Sequence, residues 1–301
     1  ASGALDTTFN VTGMVTTALG PSENYATGIA LQPDGKIVLA GICSVASANN
    51  FCVARYNPDG SLDATFNGNG KVITAILGTS DEANAVALQP DGKIVVVGKC
   101  FGSGSFDFCM ARYNPNGSLD TRFNGTGKVV TDFTTSNDFG TSLTIQPDGK
   151  IISAGYCTVG GGYDVCVARY NSDGMLDGTF GVAGKVITGI GTSQDNGNGV
   201  AVQTDGKIVV GGFCIGGGVT RDFCVVRYEG GPFGARNCSL DLDGDGKVLA
   251  TTDMLIGMRV ALGITGSAAM GGITFPPTAM RTTWSDIRTY LVSQCGMSLP
   301  L

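Results

Sequence analysis

The chain has 301 residues, 43% of them hydrophobic and 15% charged, with 48 glycines and no histidine. That apolar share supports a large core over about two domains, and the glycine content suits many strands and tight turns. With 25 acidic against 19 basic residues the net charge is −6 and no basic run occurs, which argues against nucleic acid or an anionic membrane surface as partner.

The chain begins at Ala1, with no Met and no charged-then-apolar leader, as expected of a secreted protein whose signal peptide has been removed. No stretch approaches the ~18 uninterrupted apolar residues of a membrane helix, so no membrane span is expected. A pattern LD..F opens at Leu5 and recurs at Leu62, Leu119 and Leu176, a step of 57 residues. An Asp-Gly-Lys-Ile turn keeps the same step at Asp34, Asp91, Asp148 and Asp205, and a cysteine does so at Cys43, Cys100, Cys157 and Cys214. A fixed period of this length marks a solenoid, propeller or array.

Each repeat offers four short strands. In the second copy they are Ala83–Gln89, Lys93–Cys100, Phe108–Asn114 and Leu119–Phe123, joined by Pro-Asp-Gly and Asn-Pro-Asn-Gly turns. Ile94-Val95-Val96-Val97 is apolar without alternation, so both faces of that strand are expected to be buried. The fold class that follows is mainly β: four 57-residue repeats as four-stranded propeller blades over residues 1–231.

The fourth copy stops at Tyr228 and lacks the LD..F strand, whereas Leu5–Phe9 is a spare one. Pairing the spare strand onto the last blade would close the ring. Pairing it onto a neighbour would instead make a homo-oligomer or filament by strand exchange.

The motifs LD.TF, GKV, A.ALQPDGKI and ARYN.DGSLD, as in Leu62–Phe66, Ala83–Ile94 and Ala111–Asp120, resemble the delta-60 repeat, a β-propeller module of bacterial surface and secreted proteins. The resemblance covers about residues 4–229 and implies the propeller fold. It carries no activity.

Cysteines fall in pairs 43/52, 100/109, 157/166 and 214/224, on sequential strands of a hairpin that would set them across from one another. Ten cysteines at repeated spacing point to an oxidising compartment and an extracellular or cell-surface location. Each short loop closed this way contributes roughly 2.5–3 kcal/mol in the chain-entropy model. CxxC spacing is absent and no histidine is available as co-ligand, which argues against metal or redox chemistry at these thiols. The loops between the paired cysteines differ from copy to copy, with Phe101, Phe106 and Tyr163 as the aromatics expected at the surface.

At the start of the first strand of each repeat stand Asn24, Asp81, Asp138 and Asp195. If that strand lies nearest the axis, these groups encircle one mouth of the channel, where they would bind a cation or sugar hydroxyls. The other reading is that each caps its own turn.

From Pro232 the repeat ends. Asp241, Asp243 and Asp245 with Gly246 and Lys247 match the first half of an EF-hand loop, with a closing carboxylate at Asp253, one residue late. The segment resembles the calcium-binding half of a dockerin repeat with a one-residue insertion, which implies Ca2+ as a cofactor and a small α-helical module over 232–301. Helices are expected at Asp253–Leu262, with Leu255, Met258 and Leu262 on one face, and at Thr283–Ser293, with Trp284, Ile287 and Leu291. A Cys238–Cys295 bridge is expected to staple the module.

Without histidine or a serine elbow, and with carboxylates that follow the repeat, the chain is not expected to be an enzyme. The expected function is a non-enzymatic structural or adhesive extracellular protein. The alternative is a glycan- or ligand-binding, lectin-like propeller. Calcium should raise the melting temperature of the transition that reports residues 232–301; a chelator that leaves calorimetry unchanged removes the site.

Overall fold

The computed structural model describes residues 3–216, 219–230, 256, 259–260, 264, 267–275 and 282–293. The chain divides into two compact units, Ala1–Glu229 and Gly230–Leu301. Three four-stranded antiparallel sheets and one three-stranded sheet build the first unit. Blade 1 holds β1 (Asn24–Leu31), β2 (Ile37–Val45), β3 (Ala48–Tyr56) and β4 (Lys71–Thr74). Blade 2 holds β5 (Asp81–Leu88), β6 (Ile94–Gly102), β7 (Ser105–Tyr113) and β8 (Lys128–Thr131). Blade 3 holds β9 (Asp138–Ile145), β10 (Ile151–Val159), β11 (Gly162–Tyr170) and β12 (Lys185–Thr188). Among the described residues blade 4 has β13 (Asp195–Val202), β14 (Ile208–Ile215) and β15 (Arg221–Tyr228).

The first three strands of each blade follow the expected hairpins, and Ile94, Val95, Val96 and Val97 are buried on both faces. The fourth strand is not the one expected. LD..F forms a turn, and the outer strand is the Lys-Val-x-Thr run that follows it. The cause is local: the Asp63 carboxylate accepts hydrogen bonds from Thr65 N at 3.0 Å and Thr65 Oγ1 at 2.7 Å, and Phe66 N donates back to Asp63 O. An aspartate that bonds the backbone two residues on competes with the strand ladder. The turn reaches the next blade through Asn67 N, which donates to Asn116 O at 2.7 Å.

The blades stack through their faces. β1 packs on β5, β5 on β9 and β9 on β13, so the first strand of each blade is innermost. Phe51, Val53, Phe66 and Val72 of blade 1 share one buried cluster with Ile94, Val96, Ala111 and Tyr113 of blade 2, and equivalent clusters join blades 2 to 3 and 3 to 4. Among the described residues no sheet closes the ring. Leu5–Phe9 is a turn against blade 1, where Asn10 N donates to Asp59 O, and it pairs with no strand of blade 4. Ring closure by the N-terminal strand is therefore corrected to an open arc of four blades.

Four disulfides join the second and third strands: Cys43–Cys52, Cys100–Cys109, Cys157–Cys166 and Cys214–Cys224, with Cα separations of 5.7–5.9 Å. The pairing is diagonal rather than directly opposite, since Cys43 faces Asn50 and Cys52 faces Gly41. Gly41 also marks a bulge in β1, where the register slips between Ala26 and Gly28. The same bulge recurs in the other blades, and a Cβ on Gly98 would collide with the Glu82 carbonyl.

In the second unit a helix runs over Trp284–Ser293, and its start is capped by Thr283, whose Oγ1 accepts from Asp286 N at 3.2 Å. Ile287 is buried there with Ile256 and Val260. Ile256, Arg259 and Val260 are helical, and Ile256 and Val260 are buried; the expected Leu255, Met258 and Leu262 fall outside the described residues. Cys238 and Cys295 lie outside them as well.

Gly98→Ala should cost about 1–3 kcal/mol by overpacking the bulge, read as a lowered melting temperature by circular dichroism; an unchanged melt would mean the bulge relaxes freely.

Candidate functional site

The most heavily constrained charges sit between blades. Arg55, Arg112 and Arg169 leave the third strand of blades 1 to 3 and are buried. Each pairs with the aspartate of the following LD..F turn: Arg55 with Asp63 at 2.8 Å, Arg112 with Asp120 at 2.9 Å, and Arg169 with Asp177 at 2.8 Å. Each guanidinium also lies over the phenylalanine of that turn, 4.7, 4.3 and 4.7 Å from the ring centres of Phe66, Phe123 and Phe180. Arg55 Nη1 then donates to Pro115 O of the next blade at 2.6 Å, and Arg112 donates likewise to Ser172 O. Burial alone would push the Asp63 carboxyl up; hydrogen bonds from Thr65 and the Arg55 charge outweigh it and hold the group at about 2. These carboxylates hold the arginines of their own blades in place, and Arg55 and Arg112 carry the contact to the next blade.

The four residues expected at the channel mouth all lie at the start of the innermost strands. Asn24 Oδ1 accepts from Gly20 N at 2.7 Å. Asp81 accepts from Ile76 N at 2.6 Å, Asp138 from Phe133 N at 2.7 Å, and Asp195 from Ile190 N at 2.6 Å. The three aspartates are buried and tether the loop that enters their own blade.

One of them has company. Asp107 on β7 and Asp132 after β8 bring carboxylate oxygens within 4.8 Å of one another and of Asp138. Burial pushes the Asp107 carboxyl up to about 6, and the charges of Asp132 and Asp138 add to that. Burial likewise raises Asp138 despite its amide donors. The corresponding places in blade 1 hold Asn50 and Ala75, and in blade 3 Asp164 and Gly189, so the trio is confined to the joint of blades 2 and 3. Three clustered oxygens can hold a hard cation or share a proton. Asp107 and Asp132 lie outside the motifs that define the repeat, and a comparison of the copies position by position is the signal that finds them.

A second feature lies on the loop side of the same two blades. Phe101, Phe106 and Tyr163, the aromatics expected at the surface, are drawn together by Phe139 and Tyr156. Phe106 lies 5.8 Å from Phe139, Phe139 4.8 Å from Tyr156, and Tyr156 5.1 Å from Tyr163, ring centre to ring centre. Phe101 meets Phe106 edge-on at 5.1 Å, and Lys99 Nζ stands 4.6 Å from the Phe106 ring centre. Phe139 and Tyr156 are directly paired across β9 and β10, in positions that hold Glu82 and Lys99 in blade 2. The calcium residues Asp241, Asp243, Asp245, Lys247 and Asp253 lie outside the described residues.

Residues 32–66, 89–123 and 146–180 match the model of a domain of unknown function (DUF5122) described as a beta-propeller, again with a step of 57. No curated protein matches the chain. Among solved structures, a gluconolactonase from Xanthomonas campestris is 15% identical, with a TM-score of 0.38 over 68% of this chain and 59% of its own. A second, putative gluconolactonase is 15% identical, with a TM-score of 0.34 over 66% of this chain and 57% of its own. An endo-arabinase from Bacteroides thetaiotaomicron is 12% identical, with a TM-score of 0.40 over 71% and 79%. The chain thus spans under two thirds of the length of either gluconolactonase. It carries propeller repeats, as the matched segments and the blade geometry agree.

An acid whose folded pKa is raised is favoured in its neutral form, so Asp107 should cost stability as pH rises from about 4 to about 6. Asp107→Asn should therefore melt higher than the parent at pH 7 in chelator and converge with it near pH 3.5. A difference that is flat across that window would contradict the buried-acid assignment.

Proposed function

We propose that the chain is a non-enzymatic extracellular protein with a structural or adhesive role, built from disulfide-stapled propeller blades. The observation that carries the reading is the employment of its repeated carboxylates. Asp63, Asp120 and Asp177 are paired with buried arginines of their own blade, and Asp81, Asp138 and Asp195 are spent on backbone amides. A hydrolase needs an acid/base pair free to meet substrate. Four bridges in the first unit support an oxidising, extracellular setting. A calcium-stabilised second unit completes the proposal, on the Asp241–Asp245 motif. Purified full-length protein with calcium should turn over neither gluconolactone nor arabinan, the substrates that the comparison enzymes' names suggest; hydrolysis above the buffer rate would overturn the reading.

A second reading, glycan binding, is favoured by the aromatic patch. Half-buried rings of Phe106, Phe139, Tyr156 and Tyr163 beside Lys99 form an apolar platform with a cation at its edge, chemistry that stacks on sugar faces. On a glycan array with calcium, the double variant Phe139→Ala/Tyr156→Ala should lose any signal that the parent shows. A signal that survives in the variant places binding elsewhere.

A further inference from the structure

The two ends of the arc carry complementary features. At each internal joint the outer strand of a blade pairs with its third strand in one register: Phe51 with Thr74, Cys52 with Ile73, Val53 with Val72, and Ala54 with Lys71. Blades 2 and 3 repeat it. Among the described residues blade 4 has no outer strand, and the side chains that such a joint buries are bare. Phe223 and Val225 are 102% and 71% exposed, where the equivalent Phe51 and Val53 are at 0%.

The missing strand has a counterpart at the other end of the arc. Met14–Thr17 stands one period before Lys71–Thr74 and pairs with no strand. It is nevertheless already seated as an outer strand on the blade that follows it. Lys71 Nζ donates to Ala18 O at 2.8 Å, as Lys128 does to Ala75 O at 2.6 Å and Lys185 to Asp132 O at 2.7 Å. The turn before it is in place too, with Phe9 beside Gly60 as Phe66 is beside Gly117. Between Val15–Leu19 and blade 1 a cleft of about 290 Å³ lies over Leu39, Ala54 and Tyr56, where the internal joints are filled by the preceding blade. Charges match as well: Arg227 stands where Arg55 does and Asp6 where Asp63 does, so joining the ends would create a fourth Arg–Asp pair over a phenylalanine.

We propose that β15 takes Met14–Thr17 of a second copy of this chain as its fourth strand, Phe223 opposite Thr17 and Val226 opposite Met14, and that two copies close one eight-bladed ring. In a single copy no described strand of blade 4 pairs with blade 1, and Ile29 and Leu31 on β1 are 64% and 69% exposed. Propellers run from about four to eight blades, so two four-blade arcs complete a ring and three would overshoot it. The partner being a second copy rests on the scaffold reading above. Enzymatic turnover would sink that reading and leave the joint standing, whereas a monomer would sink the joint and leave the scaffold.

Native mass spectrometry of the full chain should give twice the 30.7 kDa chain mass. Val226 and Met14 would form a non-hydrogen-bonded pair, with Cα atoms about 4.5 Å apart and within disulfide reach. Met14→Cys/Val226→Cys, oxidised with copper phenanthroline, should run as a covalent dimer on a non-reducing gel. An internally linked monomer would mean self-closure, a ladder would mean a filament, and an unlinked monomer would mean no joint; each overturns the two-copy ring. Phe223→Asp should weaken dimerisation by at least about 30-fold while leaving the circular dichroism melt of the dilute monomer unchanged. Dimerisation within threefold of the parent would rule out this register.

Discussion

Everything in the blade array depends on a buried arginine between neighbours. Arg55, Arg112 and Arg169 each bring a full charge into the joint, where it would be costly without an acceptor. The LD..F turn supplies the aspartate within a few residues, and its phenylalanine gives the guanidinium a face to lie on. The next blade then offers a turn carbonyl. One side chain therefore sets the position of its own turn and the approach of the following blade. A buried pair adds little net stability over an apolar equivalent, but breaking it leaves an unpaired charge, so it selects one arrangement.

The remaining joint contacts fall into place around that pair. Tyr113 Oη donates to Thr74 Oγ1 and Tyr170 Oη to Thr131 Oγ1, each 2.8 Å, joining the third strand of one blade to the outer strand of the blade before. At the bulge the chain crosses in the other direction: Thr27 Oγ1 donates to Ala83 O and Thr141 Oγ1 to Gly197 O. The bulge needs a glycine opposite it, and Gly41, Gly98, Gly155 and Gly212 fill that place in all four blades. Polar groups that a flat sheet would leave unpaired at the axis become links between blades.

The copies differ most at one joint. The scaffold repeats its turns, bridges and ion pairs, whereas the joint of blades 2 and 3 carries both the Asp107–Asp132–Asp138 group and the aromatic patch. Those residues occupy positions filled by other types in neighbouring copies, such as Asn50, Ala75, Glu82 and Gly189. On a repeated scaffold, positions that diverge between copies are where recognition usually sits.

The 57-residue period, the Asp-Gly turns, the apolar second strand and the four cysteine pairs were all legible in the sequence, because each rests on chemistry within one hairpin. The LD..F segment has the apolar ends of a strand, yet it turns because Thr65 donates to the Asp63 carboxylate, a contact that is equally local. Three things were decided only by tertiary structure. The arc stays open, the outer strand is Lys-Val-x-Thr, and Phe139 and Tyr156 meet Phe106 across a blade boundary. The open arc and the aromatic cluster depend on how one blade face meets the next, and the outer strand on its pairing with the third strand of its own blade, such as Val53 with Val72; no periodicity along the chain encodes those partners.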